Sequence, residues 1–187
     1  MTLLRSAMLW SCSLLLVACV VYSSSSTSRA TPVGAGITIR PGDLPSGWVS
    51  IGPVPLERVG QDGIIWQAAY ASADDPTRST ITIQQQLTVF STTQSAIDAY
   101  KQWIPKWFPT ADWTTPLESS SVPRDQNDQY HYACLTYAGA SIISCSQLQR
   151  HVNLVSLVIA NIDGRSMTLA QFGQVIDHID ARLTVVP

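Results

Sequence analysis

Charge is scarce in this chain of 187 residues. Asp, Glu, Lys and Arg make up 13% of it, with 11 basic against 13 acidic side chains. The basic residues are scattered, so the electrostatic footprint of a nucleic-acid binder is missing. Long apolar runs are absent too. The longest, 7–22, is interrupted by Ser11 and Ser13. It falls short of the roughly 20 residues that span a bilayer, so a stable transmembrane helix is disfavoured. Catalytic patterns are equally thin. A hydrolytic triad needs a nucleophile, a base and an orienting acid in contact. Ser141, Ser144 and Ser146 lie in no Gly-x-Ser-x-Gly elbow, and no glycine-rich phosphate loop occurs. His131, His151 and His178 would all have to converge to make a metal site. Asp125, Asn127 and Asp128 share only composition with a calcium loop, lacking its central Gly and closing Glu. Like Asp74 and Asp75, they read as a solvated turn. No catalytic residue, metal or cofactor is therefore expected, and the chain is not read as an enzyme.

The first thirty residues carry the strongest signal. A weakly positive start with Arg5 leads into the short apolar run, and small residues follow. That is the pattern of a secretory signal peptide. Leu16-Val17-Ala18-Cys19 resembles the bacterial lipobox. The resemblance implies that the Cys19 thiol takes a diacylglyceryl group and that cleavage precedes it. Two acyl chains suffice for stable attachment where one does not. The competing reading makes Cys19 an ordinary apolar residue of a signal peptide or uncleaved anchor. Organisation follows: signal peptide 1–18, lipidated Cys19 with a Ser/Thr-rich tether 19–36, and a folded domain 37–187. Removing 18 of 187 residues leaves 169, enough for one domain with its own core. Loss of Arg5 takes the net charge from -2 to -3.

The four cysteines sort without remainder. Cys12 leaves with the leader, Cys19 takes the lipid, and Cys134 and Cys145 remain as a disulfide pair for an oxidising compartment. A zinc pair is the rival, and no second cysteine pair supports it.

In the folded part, 37–40 alternates like a short first strand. Residues 63–70 and 80–89 read as a hairpin, the second strand turning Ile81, Ile83, Leu87 and Val89 one way and Thr and Gln the other. A helix is expected over 93–107, with Ser91, Thr92, Thr93 and Ser95 offering N-caps and Pro105 distorting its last turn. An irregular strand over 112–122 and an exposed turn over 123–128 follow. Strands 129–137 and 141–149 pair about Gly139-Ala140. A two-residue loop sets Cys134 opposite Cys145, and His131 opposite Leu148, with the cysteines on a wide, hydrogen-bonded pair. A longer loop would shift that register. Residues 154–160 are apolar on both faces, as a central strand requires. Thr168 and Gln171 form a capping box for a last helix. Its stripe is Leu169, Phe172, Ile176, Ile179 and Leu183, with Gln174, Asp177, Asp180 and Arg182 facing water.

The expected fold is therefore α+β, a mainly antiparallel sheet with two helices packed on it. The element order, the turn Leu44-Pro45-Ser46-Gly47-Trp48 and the closing helix resemble Mog1/PsbP-like domains of envelope lipoproteins. The resemblance implies a binding or assembly module. It lends no catalytic residue.

Trp48, Trp66, Trp103, Trp107 and Trp113 crowd the first part of the domain. Indoles pack cores, and they also line apolar or sugar-binding pockets. Trp48, Trp66, Trp103 and Trp107 are the candidate binding residues. Two function classes follow. One is a membrane-anchored extracytoplasmic module that binds or assembles with an envelope protein. The alternative is a carrier or sensor of an apolar or sugar-like small molecule through a Trp-rich pocket.

Overall fold

The alternation at 80–89 builds the sheet's inner strand. In the computed structural model, residues 33–52, 54–60, 62–75, 77–108, 129–136 and 141–185 are described. Cys19, the leader, the strand expected at 112–122 and the turn at 123–128 lie outside them. The elements are α1 (Val33–Ile37), a 3₁₀ turn (Pro41–Asp43), β1 (Trp48–Ser50), β2 (Leu56–Val59), β3 (Gly63–Ser72), β4 (Thr82–Phe90), α2 (Thr93–Trp107), β5 (Gln129–Thr136), β6 (Ile143–His151), β7 (Leu154–Ile162) and α3 (Leu169–Leu183). Among the described residues seven strands form one antiparallel sheet in the order β1-β3-β4-β7-β6-β5, with β2 also on β3.

The doubly apolar run 154–160 lies in β7, between β4 and β6. Leu154, Val155, Leu157, Val158 and Ala160 are all buried. Successive strand residues point to opposite faces, so β7 feeds two cores. On one face α3 and α1 pack over Trp66, Tyr70, Ile83, Leu87, Val158 and their neighbours. On the other, α2 covers Phe90, Leu148, Val155 and Leu157.

Among the described residues three helices are present where two were expected. The addition is α1, with its continuation 38–40, where the alternation predicts a strand. Gly34 sits directly against the Trp66 indole, and any Cβ there would overlap the ring. Ile37 and Ile39 are buried in the core. The Ile39 N–H donates to Gln85 Oε1 at 2.6 Å, and the Tyr70 hydroxyl donates to the Ile39 carbonyl at 3.1 Å. Tertiary contacts therefore hold this segment in place, and the described fold begins four residues before position 37.

Three polar residues depart from their expected solvent positions. Gln85 is on the apolar side of β4, 2% exposed, and donates to Ser156 Oγ at 3.0 Å. Asp180 is fully buried, with Gln147 Nε2 at 3.4 Å from its Oδ1. Arg182 turns inward to Asp43 at 2.7 Å. Asp75 likewise is no solvated turn residue. It is 8% exposed and accepts from the backbone N–H groups of Thr77, Ser79, Thr80 and Ile81 and from the Thr77 hydroxyl. In each case the hydrogen bonds replace the water that burial removes.

The β5–β6 register sets Cys134 opposite Cys145 and His131 opposite Leu148, as a two-residue loop predicts. The cysteines lie at disulfide distance, with Cα atoms 4.0 Å apart. That is closer to the spacing of a non-hydrogen-bonded pair than to the wide pair expected. Both are buried beneath the α3 face.

Candidate functional site

The four candidate tryptophans do not meet. Trp66 is 7% exposed, belongs to the α3-side core and opposes Leu87 on β4. Trp48 is half-buried on β1, and its indole N–H donates to the Ser166 carbonyl at 3.0 Å. It pins that strand to the loop before α3. Trp103 and Trp107 lie on α2, across the sheet from Trp66. Trp113 is outside the described residues.

Trp107 is placed by the way α2 starts and stops. Thr92 caps the start by accepting from the Ser95 N–H at 3.0 Å. Ala96 and Tyr100 are buried toward the sheet, and Trp103, Ile104 and Trp107 pack at the margin of the same cluster. Pro105 sits within the last turn, yet the helix runs to Trp107 and closes with the Phe108 N–H donating to the Ile104 carbonyl at 2.9 Å. A proline removes one donor and strains the preceding turn. Here the apolar face anchors the residues beyond it. The Phe108 ring meets the His131 ring edge-on, centroids 4.4 Å apart, which ties the end of α2 to β5. Lys106 Nζ lies over the Trp107 ring, 5.2 Å from its centroid.

Beside Trp107 the sheet is hollow. The cross-strand rows on this face are Gln67–Gln86–Leu157 and Ala69–Gln84–Ile159. Ala69 has no bulk to fill the second row. The result is a cleft of about 170 Å³ bordered by Trp107, Gln67, Gln84, Gln86, Ala69 and Ile159. Its lining holds no ionisable side chain. Gln67 Nε2 is 3.5 Å from Gln86 Oε1, and Gln86 Nε2 is 3.5 Å from Thr88 Oγ1. Both distances sit at the long limit of a hydrogen bond. Gln84 is exposed and has no side-chain hydrogen bond to another described residue. The amides thus hold unspent donors and acceptors toward the cleft.

Of the candidate indoles, then, Trp107 alone borders this cleft. The glutamines were not among the candidates. Their signal was present in the sequence: Gln84 and Gln86 occupy alternate positions, so a strand must place both on one face. The histidines are dispersed. His131 is against Phe108, His151 ends β6, and His178 is exposed on the outer side of α3 with Nδ1 3.5 Å from Asp43 Oδ1. Among the described residues no group of three or more His, Cys, Asp or Glu could hold a metal ion. What the cleft offers chemically is neutral hydrogen bonding beside an aromatic surface. No known protein-family model matches the sequence, and comparison with curated proteins finds none significantly similar.

Proposed function

We propose that this chain is a lipid-anchored extracytoplasmic lipoprotein whose single folded domain is a non-enzymatic binding module, with the cleft beside Trp107 as its binding surface. The cleft carries the reading, because it joins an aromatic wall to amides with unspent hydrogen bonds on a rigid sheet. Its lining offers neither a nucleophile with an adjacent base nor a charged group to stabilise a developing charge. The anchor rests on Leu16-Val17-Ala18-Cys19 and the tether after it. The pairing of Cys134 with Cys145 supports an oxidising compartment. The likeness to Mog1/PsbP-like envelope lipoproteins belongs to this reading.

Two measurements test it. In a bacterial host fed a clickable palmitate analogue, the wild-type chain takes label and Cys19→Ser takes none and accumulates as precursor. Normal labelling of that variant sinks the anchor. Hydroxyl-radical footprinting then compares Trp107 in intact envelopes and in the purified chain. Protection of Trp107 in envelopes, with Trp48 unchanged, is expected. Equal oxidation of Trp107 in both overturns the binding role.

A further inference from the structure

We propose that the Trp107 cleft binds one neutral, hydroxyl-rich ring of pyranose type, with Gln67, Gln84 and Gln86 as its hydrogen-bonding residues. This inference rests on the binding reading above and adds the ligand class.

Size sets the first limit. At about 170 Å³ the cleft is well below the roughly 300–1,000 Å³ that takes a drug-sized molecule. One six-membered ring fits, and a longer molecule would leave its remainder in solvent. Charge sets the second. An ionised group entering the cleft gives up hydration and meets no opposite charge in the lining; the Lys106 ammonium lies outside the lining and is already held over the Trp107 ring. Neutral ligands are favoured on that account.

The polar groups set the third limit. Each glutamine amide has two N–H donors and a carbonyl with two lone pairs. Gln67 and Gln86 orient one another through their long contact, and the Gln84 side chain has no hydrogen bond among the described residues. A ring hydroxyl both donates and accepts. A pair of neighbouring hydroxyls can therefore satisfy the N–H and carbonyl edges of one amide at once. A purely apolar ring would cover these amides without repaying their lost hydrogen bonds to water. It is disfavoured for that reason.

The apolar groups complete the match. The C–H surface of a sugar ring packs on an aromatic face, and Trp107 supplies that surface on the α2 side. Ile159 and Ala69 form an apolar floor, so hydroxyls pointing sideways reach the glutamines while ring carbons rest on carbon. The amides lie on β3 and β4, the middle of a continuous ladder. A site carried on strands keeps its geometry better than one on loops.

The test uses the full chain in a zwitterionic detergent, since sugar-headgroup detergents would compete. Methyl β-D-glucopyranoside, N-acetylglucosamine and cellotriose are probed by saturation-transfer NMR and titration, with glucuronate and glucosamine as charged controls. Saturation of the neutral ring protons is expected, with millimolar affinity for the single ring. Charged analogues should bind at least five-fold more weakly. Gln84→Ala should weaken binding about five-fold or more, whereas Gln174→Ala on the outer face of α3 should leave it unchanged. Trp107→Ala should do more, and if that variant does not fold, Gln84→Ala decides. Stronger binding of cellotriose than of the single ring identifies a glycan chain as the source. Equal binding identifies a free sugar, and either supports the inference. Absence of binding by every neutral saccharide overturns it, as does full binding by Gln84→Ala or equal binding of glucuronate. If the envelope footprint on Trp107 persists while no saccharide binds, the ligand class fails and the binding role stands.

Discussion

Arg182 grips Asp43 with both ends of its guanidinium: Nη1 lies 2.9 Å from Oδ1 and Nη2 2.7 Å from Oδ2. The two residues are 139 positions apart and join α3 to the 3₁₀ turn near the start of the fold. Arg182 Nη2 also reaches the Thr38 carbonyl at 3.4 Å, and the Arg40 N–H donates to Asp43 at 2.8 Å. Planar, two-point pairing is what distinguishes arginine from lysine at such a site. The Asp43 side chain is 9% exposed and that of Arg182 19%.

Removing one partner of a fully buried pair costs about 3–5 kcal/mol, because the other charge stays buried and unpaired. This pair keeps some contact with solvent. Arg182→Leu is therefore expected to destabilise by about 2–3 kcal/mol, with Arg182→Lys intermediate. For a chain of this size each kcal/mol moves the melting temperature by about 2–4 °C. Thermal unfolding of the two variants checks the ranking. A loss below about 0.5 kcal/mol for Arg182→Leu would mean the pair is solvated and contributes little.

The same pair shows where sequence reading stops. Periodicity detects which residues are apolar, so it located β3, β4, the central β7 and both long helices. The Thr168–Gln171 capping box is a local contact, and it is present, with the Gln171 N–H on Thr168 Oγ1 at 3.2 Å. The register of β5 on β6 follows from counting residues across a short loop. A polar residue on an apolar face carries no such signature. Gln85 and Asp180 are buried, and Arg182 half-buried, because of partners contributed from distant segments, such as Ile39 for Gln85, Gln147 for Asp180 and Asp43 for Arg182. The α1 segment is Gly-containing and β-branched, a weak helix former on its own. Its helix depends on the close approach of Gly34 to Trp66. The cleft needed the position of α2 across the sheet, which sets Trp107 beside β3 and β4 and is encoded in no single stretch.

Acid should weaken this fold through three depressed carboxylates. Burial alone would raise Asp43, but the Arg182 hydrogen bond and the Arg40 N–H outweigh it, and its pKa ends below the usual value of 3.8. Asp75 is held well below the ordinary carboxylate range, first by the Ile81 N–H and then by the Thr77 hydroxyl. Asp163 is also lowered: burial opposes ionisation, but the Ser166 and Arg165 N–H groups prevail. A carboxylate whose folded pKa lies below its unfolded one contributes stability that is complete above the unfolded value, near 4. That contribution is lost as pH falls from there through the folded value. Urea unfolding from pH 7 to pH 3 should therefore show falling stability below about pH 5. The gap between wild type and Asp75→Asn should narrow over the same window, since the variant has no charge to lose. A gap that stays constant down to pH 3 would remove Asp75 from this account.

Val152 offers the opposite opportunity, a gain. It occupies the tight β6–β7 turn at φ 49, in the left-handed region that β-branched side chains rarely adopt. It is also 43% exposed, so its side chain contributes little burial. The turn is held by other groups. Arg150 Nη1 donates to the Val152 carbonyl at 2.9 Å, and Asn153 Nδ2 donates to the Phe90 carbonyl at 2.8 Å. Of the two turn residues only Val152 has positive φ, the II′ pattern whose first central position favours glycine. Glycine relieves the strain of about 1–2 kcal/mol but adds freedom to the unfolded chain, which subtracts from the gain. Val152→Gly is therefore expected to stabilise by about 1 kcal/mol, and Val152→Asn by less. The melting temperature should rise by about 2–4 °C for the glycine variant. Because the turn lies away from the cleft lining, saccharide titrations of Val152→Asn should match those of the wild type. A lowered melting temperature in both variants would show that the valine side chain holds the turn and that the strain is repaid there.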